Sequence, residues 1–362
     1  MRKQGTLLIT GIMGISIILT GCFQGEQSME KKVDPPPNAE TVNDLENGTS
    51  DETKTDAKAD TENGETAETV MRQLFLIDAN GMVAPQTLEI PKDDSKEVAS
   101  QALEYLVKDG PVTNLLPNGF QAVLPAGTEI LGLNLEEDGT MIVDVSNEFK
   151  NYEAENELKI LQAMTYTLTQ FDSVNKVQLR IEGKDQTEMP VNGTPIAEGY
   201  TRADGINITE TEAVDLMNSQ AVTLYYPTEY NETKYFVPVT KHIEVKDGDL
   251  YGSIVQTLLN GPGYKVNAKQ VFNEQASLTS DPTLNSGVLE LVFNQDILKG
   301  KDTDKTTISD DVMESLVRTL TEQQSVDALK VKVEKVDKLF NEKGEEYNKP
   351  VTADMFSPTE KL

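Results

Sequence analysis

The chain repeats itself at a constant offset of 152 residues, and a long-period repeat constrains the fold more than any single motif does. Leu168, Thr169, Ser173 and Val174 recur as Leu320, Thr321, Ser325 and Val326. Val177, Leu179 and Ile181 recur as Leu329, Val331 and Val333. These last three alternate with polar residues, which is the period of a strand with one buried face. Upstream, Leu161, Met164, Thr165 and Leu168 match Met313, Leu316, Val317 and Leu320 at the i, i+3, i+4, i+7 spacing of a helix with one apolar stripe. The pattern predicts two similar domains in tandem, and 362 residues suit about two domains.

Each copy reads β(β)αββαβ. In the first domain, residues 70–200, strands are expected at Gln73–Ile77 and from Met82 to Pro91. A helix follows over Val98–Leu106 and stops before Gly110-Pro111. A hairpin over Ile130–Leu135 and Met141–Val145 turns at Gly139. A helix over 157–171 and a strand over 177–181 complete the copy. In the second domain, residues 221–345, strands are expected at Val222–Tyr226 and Tyr235–Val245. A helix over Tyr251–Leu259 stops before Gly261-Pro262. Strands near Ala276–Ser280 and Val288–Phe293, a helix over 310–322 and a strand over 329–333 follow. Residues 201–220 form a connector in which Glu210–Met217 suits a short helix. From 346 to 362 the chain reads as a loose polar tail with a packed segment around Met355 and Phe356. The fold class is α+β, with the helices on one face of a small sheet, the economical way to bury two helix stripes.

The N-terminus is of another kind. Arg2 and Lys3 precede a short apolar run from Leu7 to Leu19, a signal peptide over residues 1–21. Leu19-Thr-Gly-Cys22 resembles a bacterial lipobox, which implies that Cys22 is lipidated and becomes the mature N-terminus. Residues 22–69 have few large apolar side chains, and 23–69 carry 13 acidic against 4 basic residues. Such a segment cannot bury enough surface to offset its chain entropy and is expected to be a disordered linker. At that length it spans roughly 40 Å and holds the folded part away from the membrane.

The whole chain has 61 acidic and 32 basic side chains and a net charge of −29. That balance disfavours nucleic acid and anionic headgroups as partners. It also favours a monomer in isolation. A single Cys leaves no internal disulfide.

No motif for nucleophilic, metal-dependent or nucleotide chemistry occurs. His242 is the only histidine, and a lone histidine is usually a surface or edge residue. Asp247 with Asp249, and Asp302 and Asp304 with Asp310 and Asp311, are acidic clusters without the ligand ladder of a calcium loop. Tyr225, Tyr226, Tyr230, Tyr235 and Phe236 form the densest aromatic cluster, which suits either a sugar platform or, more simply, an inward-packed hairpin. No catalytic residue, cofactor or metal is expected.

The two Gly-Pro helix stops form an ordered set with Leu124-Pro-Ala-Gly-Thr128, Val143-Asp-Val-Ser-Asn-Glu-Phe149 and Leu168-Thr-Gln-Phe-Asp-Ser-Val174. Together with Cys22 they resemble the spore germination lipoproteins that carry two GerMN (sporulation and spore germination) domains. The likeness covers about residues 70–340 and the anchor. The second copy lacks the Leu-Pro-x-Gly-Thr element and has Gln295-Asp-Ile297 in place of Asn147-Glu-Phe149. The resemblance implies a core similar to the ring-building motif of secretion-channel proteins. It also implies a non-enzymatic, lipid-anchored protein on the outer face of the cell membrane, in an assembly between mother cell and forespore, beside membrane proteins of the sporulation channel. A surface lipoprotein that binds peptidoglycan or another glycan is the alternative. An envelope hydrolase is a weaker one.

Overall fold

Two antiparallel hairpins frame the molecule because each has a run of apolar and β-branched residues on both sides of a tight turn. In the computed structural model, which describes residues 68–93, 95, 97–209, 219–299 and 306–356, the first is β1 (Thr69–Ile77) with β2 (Val83–Pro91). There follow α1 (Val98–Glu104), β3 (Ile130–Leu135), β4 (Thr140–Val145), α2 (Glu157–Leu168), β5 (Lys176–Ile181) and the short β6 (Lys184–Asp185). The second copy comprises β7 (Ser219–Tyr230), β8 (Thr233–Glu244), α3 (Leu250–Leu259), β9 (Thr283–Asn285), β10 (Val288–Phe293), α4 (Asp310–Thr321) and β11 (Ala328–Val333). The signal peptide, Cys22, nearly all of the linker and Glu210–Met217 lie outside the described residues.

The duplication holds at the level of register. β4 runs parallel to β5 with Thr140 opposite Lys176, and β10 runs parallel to β11 with Val288 opposite Ala328. Both parallel pairs begin alike: Asn175 donates its N–H to the carbonyl of Gly139 at 2.8 Å, and Asp327 to that of Gly287 at 2.7 Å. Both glycines have positive φ, and a Cβ on either would collide with the Asn175 or Asp327 side chain. The helical stripes are buried as the spacing predicts. Leu168 and Leu320 are both fully buried, as are Met313, Leu316 and Val317.

The hairpins do not extend these sheets. Each forms its own two-stranded ladder against the long helix of its copy. The helix therefore lies between hairpin and sheet, and a side chain on it closes the hairpin's edge. Phe75 donates its N–H to Thr167 Oγ1 at 3.0 Å, and Tyr225 donates its own to Thr319 Oγ1 at 3.0 Å. A buried threonine within an apolar stripe thus satisfies a strand edge that would otherwise invite another chain.

Two expectations are corrected. Ala276–Ser280 is not a strand but makes one bridge, Leu278 to Phe293. The partner of β10 is β9, because Ser286 and Gly287 with positive φ close a two-residue turn directly before β10. The region from 346 is not a loose tail up to Val351. Val351 exchanges both backbone hydrogen bonds with Leu329, as Tyr200 does with Val177. Phe356 packs on the core, whereas Met355 stands 62% exposed.

Candidate functional site

A cluster of charge and hydrogen bonding lies where the two copies meet. It begins with one divergence in the repeat. Gln170 follows the α2 helix and donates to the carbonyl of Gln73 on the β1 edge at 2.9 Å. Its counterpart 152 residues on is Glu322, at the end of α4. Glu322 turns to the connector: its Oε1 accepts from Arg202 at 2.6 Å and from the Tyr225 hydroxyl at 2.6 Å.

Arg202 is held ready for that contact. It sits in a 3-10 turn closed by Thr201 and Asp204, each capping the other. Its guanidinium donates to Thr169 Oγ1 at 2.8 Å and to the Tyr166 carbonyl at 3.3 Å, and lies 4.6 Å from the centre of the Tyr166 ring. The Arg202 side chain keeps 29% of its exposure and Glu322 19%, so the pair is semi-buried and screened less than a surface bridge. Burial opposes the charge on Arg202, but the Glu322 carboxylate beside it outweighs that cost and holds the guanidinium above its ordinary pKa. Burial and then Glu322 push Tyr166 up to about 12, and the same two causes raise Tyr225 well above its ordinary value. These phenols stay neutral and serve as donors and packing surface. A cleft of about 280 Å³ opens beside the pair, lined among others by Gln73, Pro85 and Arg318.

A second tie stands nearby. Asn207, in the left-handed region that asparagine tolerates, accepts from Val83 N at 2.9 Å and donates to Val83 O at 2.6 Å and to Pro238 O at 2.8 Å. One carboxamide thus stitches β2 of the first copy to β8 of the second. Tyr235 donates to Asp78 at 2.9 Å and packs edge-on to Phe120. The connector is therefore structural through Thr209, and its buried Ile206 belongs to the core.

The junction joins two units of one kind. Residues 73–187 and 223–336 each match the family model Germane, described as sporulation and spore germination. The chain belongs to the sporulation and spore germination family. Within this family, the spore germination protein GerM of Bacillus subtilis (strain 168) is 43% identical over 361 residues, covering 97% of this chain and 97% of that protein. The solved structure of the tandem GerMN domains of the sporulation protein GerM from Bacillus subtilis matches with a TM-score of 0.72 and 46% identity, over 79% of this chain and 97% of that one. The two copies are thus tandem GerMN domains, with an α+β fold.

The residues singled out from sequence fall as follows. Cys22 lies outside the described residues, as do Asp302 and Asp304. Asp249 caps α3 by accepting from Gly252 N at 2.8 Å, and Asp310 accepts from Glu342 N at 3.1 Å. Asp311 faces Lys234 at 3.3 Å. Tyr225, Tyr226, Tyr235 and Phe236 are buried and pack inward from the hairpin, whereas Tyr230 at the strand end is 37% exposed, so four of the five rings are not available as a sugar platform. His242 is half-buried opposite Ala221 in the β7–β8 ladder. Sequence reasoning missed Arg202, Glu322 and Asn207. The signal for Glu322 was present as the Gln170 to Glu322 change inside the best-preserved part of the repeat.

Proposed function

We propose that this member of the family is a non-enzymatic, lipid-anchored interaction unit that carries its two GerMN domains as one body into an envelope assembly of the sporulating cell. The observation behind this reading is the connector junction. Arg202, Glu322 and Asn207 fix two copies of one fold at a set spacing, so similar faces are offered to neighbours in fixed geometry. Assembly of like units into a ring or arc needs one face of a unit to meet a different face of the next. A net charge of −29 opposes self-association in solution. In this reading the protein is a monomer alone and joins other membrane proteins where anchoring through Cys22 raises its local concentration.

In-cell cross-linking tests this. A photoreactive residue placed on exposed positions of each domain, such as Leu158 and Lys330, should trap membrane proteins during sporulation. Products should disappear in Cys22→Ala cells to the extent that the chain is released from the membrane. Turnover of a spore-envelope substrate by the purified protein would overturn the non-enzymatic reading.

A further inference from the structure

The second domain holds a cleft of about 690 Å³ between the end of β8, the outer face of α3 and the loop after it. Its size is that of a small-ligand site, roughly 300–1,000 Å³. The charge of its wall runs against the rest of the chain. Acidic residues outnumber basic ones almost two to one overall, yet here Lys241, Lys246 and Lys265 line the wall against the single acid Glu244. His242 lines it as well.

The wall is built, not incidental. Lys241 Nζ donates to the carbonyls of Gly261 and Pro262 at 3.1 and 2.9 Å and so ties the loop to β8. Lys246 N donates to Ser253 Oγ at 3.1 Å and fixes the other end against α3. Gln256 and Asn260, both exposed, place their amides along the helix side, 3.1 Å from each other. At the lip, after Gly263 with its positive φ, the Tyr264 ring stands 90% exposed. Among the described residues the next most exposed large apolar side chain is Met355, at 62%.

The first domain does not repeat these side chains. The hairpin registers pair Phe75 with Pro85 and Tyr225 with Pro238, so Lys241 and His242 correspond to Leu88 and Glu89. Tyr264 and Lys265, counted from the Gly-Pro stops, correspond to Thr113 and Asn114. The feature is therefore not a requirement of the fold.

We propose that this cleft binds a carboxylate-bearing saccharide. A sugar ring presents C–H groups that lie flat on an exposed phenol ring, hydroxyls that pair with carboxamides, and carboxylates that pair with ammonium groups. Tyr264 at the lip, Gln256 and Asn260 on the helix side, and Lys246 and Lys265 on the wall offer those three partners; Lys241 instead holds the loop through the Gly261 and Pro262 carbonyls and the Tyr226 hydroxyl. A flat lipid surface cannot reach into a concave wall, and an acidic peptide would leave the carboxamides and the open ring without a matching role.

The test uses the full chain in detergent and measures binding of a hexasaccharide of alternating N-acetylglucosamine and N-acetylmuramic acid. Chitohexaose supplies the same backbone without carboxylates, poly-glutamate the carboxylates without sugar, and phosphatidylglycerol vesicles an anionic membrane. The acidic hexasaccharide should bind, and chitohexaose at least about tenfold more weakly. Tyr264→Ala and Lys265→Glu are surface changes that should leave the melting transition in place and weaken the acidic hexasaccharide at least about fivefold. Absence of hexasaccharide binding, or binding that neither variant alters, overturns the proposal. So does equal binding of poly-glutamate, which would make the cleft an acidic-peptide surface. Vesicle binding abolished by Lys265→Glu would make it a membrane surface and would also overturn it.

Discussion

Val351 lies opposite Leu329 and exchanges both backbone hydrogen bonds with it, at 2.7 and 2.9 Å. The buried Val351 thereby covers the outer edge of β11, and β11 lies beside the fully buried α4 stripe. Val351→Pro removes the donor to Leu329 and, together with lost packing, should cost about 2–4 kcal/mol. Val351→Ala keeps the ladder and should cost about 1–2 kcal/mol. Urea unfolding of both variants checks the order; equal costs would mean that packing alone matters there.

The two domains should be coupled through Arg202 and Glu322. Removing either partner leaves the other semi-buried without its opposite charge, at about 1.5–3 kcal/mol. Arg202→Ala and Glu322→Ala should each lower stability, and the double variant should cost less than the sum of the two. Strict additivity in the double-mutant cycle would show that the pair is not an energetic link. Asn207→Ala should be at least as costly, because Val83 and Pro238 lose partners at once.

Leu168 and Leu320 occupy equivalent, fully buried places under their hairpins. Truncation of either to Ala should cost about 2–5 kcal/mol. Thr167→Val and Thr319→Val fill the same volume but leave the Phe75 or Tyr225 N–H without its acceptor, at about 1–3 kcal/mol. Chemical denaturation of the four variants tests whether the duplicated positions carry similar weight.

Glu157 gives a pH signature. Its residue is fully buried, and its carboxylate accepts from Tyr152, Val191 N, Asn192 N and both Thr194 donors at 2.6–3.2 Å. Burial opposes its ionisation, but the donors prevail and hold its pKa below the usual carboxyl value. A depressed folded-state pKa stabilises fully above the unfolded value, near 4.3, and that contribution is lost as pH falls through the folded value. Glu157→Gln should therefore cost about 2–4 kcal/mol at neutral pH, and the gap to wild type should narrow below about pH 4. A gap constant from pH 7 to pH 3 would contradict the assignment.

What was legible in the sequence is what repeats. Leu168, Val174 and Val177 could be placed because an apolar period constrains burial directly, and the second copy repeats the evidence. The strand at 276–280 was misplaced because Leu278 belongs to an apolar pair with no turn signal of its own, whereas Asn285-Ser-Gly287 carried the turn. The Val351 pairing was hidden between Pro350 and Thr352, since a single returning residue has no period. Arg202 and Asn207 were illegible for a related reason: a connector residue that bridges two domains answers to tertiary geometry, and no local pattern encodes it.

The anchoring half of the proposed function rests on Cys22, the only cysteine, directly after Leu19-Thr-Gly. One acyl chain holds a protein to a membrane only marginally, since each buried methylene contributes about 0.8 kcal/mol and binding must offset dilution. The diacylglyceryl group that a lipobox implies supplies two chains and stable attachment. Cys22→Ala should abolish lipid transfer and either retain the uncleaved precursor or release the chain. Gel mobility, metabolic labelling with a fatty acid and partition into a detergent phase read the three outcomes. Because the described domains begin only at residue 68, the variant should melt at the same temperature as wild type. Normal processing and normal detergent partition of Cys22→Ala would refute the anchor, and with it the local concentration on which the assembly reading depends.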